Sequence, residues 1–92
     1  MDPLAQVISR IIKEQQAIIG PIALSQAQQV AGIVVTSADD VKVTGNGKDV
    51  LESLVNQYAK LFGKASVEVC KEAIEPFSDK ISPNDLPDIL KN

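Results

Sequence analysis

Residues 48 to 62 place apolar side chains at Val50, Leu51, Leu54, Val55, Tyr58, Leu61 and Phe62, and no other spacing in the chain constrains its fold as strongly. The intervals of one, three and four residues put all of them on one helical face. A stripe this wide must be covered by other helices or by another chain. Asn46 can cap the helix, with Asp49 in capping-box position, and Gly63 suits the residue that ends it. Lys48 and Glu52 fall four apart on the outer side.

The same logic finds the other elements. Residues 3 to 19 read as an amphipathic helix, with Asp2 as cap and Pro3 in the first turn. Its apolar face is Leu4, Val7, Ile8, Ile11, Ile12, Ile18 and Ile19; Gln6, Ser9, Arg10, Lys13, Glu14 and Gln16 occupy the other side. Gln15 interrupts the stripe. We read it as lying at the stripe's edge in water; the other reading makes it a register-fixing contact between helices. Gly20-Pro21 then either breaks the helix or kinks it, and residues 21 to 31 continue as a helix with Ala23, Ala27 and Ala31 at four-residue spacing and Gln26, Gln28 and Gln29 toward water.

The period changes at Gly32-Ile33-Val34-Val35-Thr36, a short β-branched run, and again at Val41-Lys42-Val43-Thr44, which alternates. Ser37-Ala38-Asp39-Asp40 between them is turn chemistry, so the two runs form a β-hairpin. Two strands alone are marginal in water. The hairpin must pack on the helices or pair its edge with another chain. Ser66 is expected to cap a fourth helix, 67 to 77, buried through Val67, Cys70, Ala73, Ile74 and Phe77 and weakened at its end by Pro76. Ser82, Pro83 and Asp85 start a short helical turn, with Ile81 and Leu86 placed as a hydrophobic staple and Pro87 limiting its length. Leu86, Ile89 and Leu90 should dock on something. The expected fold is therefore mainly α with one β-hairpin: about four helices around an aliphatic core and a C-terminal turn, in a single domain spanning 1–92.

Composition narrows the function. There is no histidine and no tryptophan, and Cys70 is the only cysteine. Most acid–base, nucleophilic and metal chemistry at neutral pH loses its usual side chains, and a phosphohistidine relay is excluded. The net charge is −3 with the basic residues scattered, which argues against nucleic acid as a partner. No apolar run approaches the roughly 18 residues of a membrane span. Met1-Asp2-Pro3 does not read as a secretion signal. One cysteine cannot form an internal disulfide, so a cytoplasmic setting is expected.

The remaining chemical candidates read as structure. Cys70 on an apolar face is a buried thiol rather than a nucleophile. Gly45-Asn46-Gly47-Lys48 is a turn and cap lacking the spacing of a phosphate loop. Asp39-Asp40 is a hairpin turn without the further ligands a hard cation needs. Glu68, Glu72 and Glu75 lie on a solvated helix face. No catalytic residue, cofactor site or metal site is expected, and the chain does not read as an enzyme.

Ile19-Gly20-Pro21-Ile22-Ala23 after an amphipathic helix, together with Leu61-Phe62-Gly63 and Val69-Cys70, resembles a small, uncharacterised prokaryotic helical domain that occurs alone or attached to signalling proteins. That resemblance covers about half the chain and implies a regulatory or interaction role without an active site. Excess apolar surface on a small domain points the same way, toward a protein partner or a homodimer. The stripe residues Leu54, Val55, Tyr58 and Phe62 are the expected interface. The alternative is a small-ligand sensor with an apolar pocket between helices, lined by Ile11, Ile18, Leu54 and Cys70.

Overall fold

A computed structural model describes residues 2–91. The fold is mainly α with one β-hairpin. Four helices, α1 (Pro3–Ile19), α2 (Ile22–Ala27), α3 (Gly47–Phe62) and α4 (Lys64–Ile74), surround an aliphatic core. Strands β1 (Ile33–Ser37) and β2 (Asp40–Val43) lie between α2 and α3, and three single turns of 3-10 helix, Glu75–Phe77, Pro83–Asp85 and Asp88–Leu90, finish the chain.

Helix α1 begins as its sequence dictates. Asp2 accepts from the Ala5 N–H at 2.8 Å and Pro3 sits in the first turn. Val7, Ile8, Ile11 and Ile12 are fully buried. Ile18 is 63% exposed although it shares the face of Ile11, two turns earlier, so the stripe is not covered to its end. The chain breaks rather than kinks after α1: Gly20 closes the helix by donating to the Gln16 carbonyl at 2.9 Å, and Pro21 leads into α2. Helix α2 stops at Ala27, short of the expected residue 31, where the chain must redirect into the hairpin.

The hairpin is antiparallel, pairing Ile33 with Val43 and Val35 with Val41, with an irregularity between Val35 and Ser37. Ile33, Val35 and Val41 point into the core, and β1 and β2 pack on α2 and α1. Ser9 is buried, against its expected place in water, because its hydroxyl donates to the Ala38 carbonyl in the hairpin turn.

Asn46 caps α3 by accepting from the Asp49 N–H at 3.1 Å. Gly63 (φ +79°) then both ends α3 and precedes α4, so a single residue makes the corner. The expected cap, Ser66, is carried inside α4 as a result and is buried there. Pro76 diverts the chain after Ile74 into 3-10 geometry. Beyond it Ser82 caps the next turn by accepting from Asn84 N–H at 3.3 Å. Leu90 is buried, and the last turns dock on α3 and α4.

Candidate functional site

The α3 stripe belongs to the protein's own core. Leu54, Val55 and Tyr58 have no exposed surface, so three of the four residues expected at an interface are instead buried within the chain, where α3 packs on α4 and α2. Phe62 is half-buried at the end of the helix, and Leu61, read as part of the same face, is 48% exposed. Burying a large aliphatic side chain is worth about 1.5–3 kcal/mol, which favours covering this stripe within the chain wherever helices can reach it.

Polar contacts tie that core together. The Tyr58 hydroxyl donates to the Ala23 carbonyl at 2.6 Å, fixing α3 against α2, and Gln57 donates to Gln26 at 2.6 Å one turn away. Gln15 is 1% exposed and donates to the Ser66 carbonyl at 3.1 Å and toward Cys70 Sγ at 3.4 Å. It is therefore a contact between α1 and α4 and not a residue at the edge in water. Cys70 is fully buried; burial pushes its thiol up to about 11, and the Gln15 N–H pulls weakly the other way. Burial likewise holds the Tyr58 phenol above its ordinary range, with Cys70 adding to the effect. Both groups stay protonated at neutral pH and have no open approach.

The alternative reading, a ligand sensor, places Ile11, Ile18, Leu54 and Cys70 around one pocket. Ile11, Leu54 and Cys70 are packed in the core while Ile18 faces outward, and none of three surface concavities is lined by any of them. The largest of these, about 580 Å3, is an open groove between α4 and the C-terminal turns. Its floor is apolar, from buried Ile74 and Leu90 and half-buried Ile81 and Leu86. Its rim carries exposed Glu68 and Glu72 of α4 and Glu75 just beyond it. Lys71 lies 3.7 Å from Glu68 and Lys91 lies 3.3 Å from Asp88; Glu72 and Glu75 have no ion pair among the described residues.

Two smaller concavities flank the start of α1, one beside Lys80 and Asp85 and one beside β2. Asp39 pairs with Lys13 at 2.5 Å and Asp40 accepts from Thr36, so the hairpin acids are engaged locally. Among the described residues no three His, Cys, Asp or Glu side chains converge to hold a metal ion, and no helix is long and apolar enough to cross a membrane.

No single stretch of sequence marks the groove as a site. Its signals were present separately: apolar Leu86 and Leu90 seeking a surface, and three acids along one helix. Only the turn at Pro76, which folds the tail back along α4, makes one feature of them. No protein family, no curated protein and no solved structure matches this chain.

Proposed function

We propose that this chain is a non-catalytic protein-interaction module whose contact surface is the groove between α4 and the C-terminal turns. One observation carries the reading: an apolar floor of Ile74, Ile81, Leu86 and Leu90 lies open beneath a rim with two carboxylates, Glu72 and Glu75, that have no ion pair among the described residues. Such a groove suits an apolar side chain on a helix, flanked by basic residues that meet the rim. The α3 stripe is occupied internally, which moves the contact surface from the expected residues to this one. The only thiol and the core phenol are buried and protonated, which supports a role without chemistry. The interaction or regulatory role implied by the Ile19–Ala23 stretch agrees with this reading and adds no site residue. The single cysteine favours a reducing, cytoplasmic setting.

The test is a titration of the isotope-labelled protein with a synthetic helical peptide carrying leucine flanked by lysines. Amide shifts confined to α4 and residues 78–91 are expected, and Ile81→Glu should abolish them while leaving the far-UV circular dichroism unchanged. Shifts at another surface, or a response indifferent to Ile81→Glu, would overturn the assignment.

A further inference from the structure

The outward face of α4, opposite buried Ser66, Cys70 and Ala73, carries Lys64, Glu68 and half-buried Lys71, and Glu75, the residue that caps its C-terminal end, continues the row. Their spacing, i, i+4, i+7 and i+11, aligns them in one row of alternating sign. We propose that the occupant of the groove is a second copy of this chain, related by a two-fold axis that sets the two α4 helices antiparallel. This inference rests on the groove being the contact surface.

The row is complementary to itself only when reversed. Antiparallel pairing places Lys64 opposite Glu75 of the second copy and Glu68 opposite Lys71, and both pairs share one centre, between Val69 and Cys70. The axis repeats each contact, as a closed two-fold interface requires. The same pairing carries the Lys60-Leu61 end of α3, joined to α4 by Gly63 alone, toward the Ser78–Ile81 end of the opposite groove. Leu61, 48% exposed and flanked by Lys60 and Lys64, has the chemistry that the groove suits.

A second observation supports an intermolecular role. Lys64 opens α4 and Glu75 closes it, the reverse of what the helix macrodipole favours. Neither has an ion pair among the described residues, and they stand about 16 Å apart along the helix, too far to offset each other within one chain. Across a two-fold axis the unfavourable ends meet their opposites.

The experiment is light scattering over a concentration series for the wild type, Lys64→Glu, Glu75→Lys, the double variant, and a mixture of the two single variants. Each single reversal improves the match to the macrodipole, so folding is preserved, and circular dichroism checks it. The wild type should approach twice its 9.8 kDa mass as concentration rises. Each single variant should dimerise about tenfold more weakly or worse, because both symmetry-related pairs become repulsive. The double variant should recover, and so should the mixture, in which every pair is again attractive. A wild type that stays monomeric to millimolar concentration, or a dimer indifferent to these exchanges, would overturn the proposal. If the monomer still binds the lysine-flanked leucine peptide in the groove, only the second copy is excluded; if it binds no peptide, the groove reading falls as well.

Discussion

Gln15 on α1 donates a side-chain N–H to the Ser66 carbonyl oxygen on α4 at 3.1 Å, joining residues 51 apart in sequence. The amide is buried where α1 and α4 cross and also reaches Cys70 Sγ. Gln15→Ala should destabilise the protein by about 1–3 kcal/mol through the lost bond and the space left behind. Gln15→Leu fills that space and should cost less. Gln15→Glu should cost the most at neutral pH, since it aims a carboxylate at a carbonyl oxygen, and the deficit should shrink on acidification as the acid takes up a proton. Urea unfolding of the three variants at two pH values checks the order.

Alkaline pH should weaken the fold through Cys70. The folded thiol titrates near 11 against an ordinary 9.0. Above about pH 9 the unfolded chain releases this proton while the folded chain retains it. The unfolded state then binds fewer protons, so stability is complete below pH 9 and falls between pH 9 and 11. The loss approaches about 3 kcal/mol from this group alone, and the phenol of Tyr58 extends it to higher pH. In Cys70→Ala the same interval should show a shallower decline. Urea midpoints for both proteins across that range measure the difference.

Tyr58→Phe removes the hydroxyl that donates to the Ala23 carbonyl and leaves the ring in place. The expected cost is about 1–2 kcal/mol, from a buried acceptor deprived of its partner. Its readout is specific: amide exchange should accelerate in α2 before the rest of the core, because this bond ties that short helix to α3.

Leu54 and Leu61 sit seven residues apart in α3 and should respond very unequally to truncation. Leu54 is fully buried, and Leu54→Ala should cost about 2–5 kcal/mol. Leu61 is 48% exposed, and Leu61→Ala should stay within about 0.5 kcal/mol. Thermal melts of the two variants at low concentration, where self-association does not contribute, test the pair.

The two corners separate strain from collision. A Cβ at Gly63 meets nothing within 4 Å, so Gly63→Ala should cost about 1–3 kcal/mol from its backbone alone, since φ +79° with ψ −165° is a conformation essentially reserved for glycine. At Gly32 a Cβ would lie 2.7 Å from Val50 Cγ2, with the Gly45 backbone close by. Gly32→Ala should therefore destabilise more than Gly63→Ala in parallel melts, because it combines a left-handed φ with a packing clash.

What was legible in the sequence follows from range. Helical periodicity, the caps at Asp2, Asn46 and Ser82, and the alternation around Asp39 are local, and each element they mark is present. Polarity alone places Gln15 and Ser9 in water because it describes a side chain without its partner; the Ser66 and Ala38 carbonyls they bond to come from 51 and 29 residues away. Ser66 looked like a cap because its type suits one, yet the one-residue corner at Gly63 starts α4 two positions earlier. The width of the α3 stripe shows that it needs cover, but sequence does not say which helix supplies it. Whether Leu54 meets a neighbour in the same chain or in another depends on how α2 and α4 close around it. The groove is hidden for the same reason, since its two walls are separated by the turn at Pro76.

The most direct measurement of where this protein makes contact is an amide chemical-shift map recorded over a dilution series. Concentration-dependent shifts are expected in α4, at Leu61 and along residues 78–91, with α2, the hairpin and the buried α3 stripe unchanged. Shifts centred on the hairpin or on Ile18 and Ile22, or spectra that do not change with concentration, would contradict this expectation.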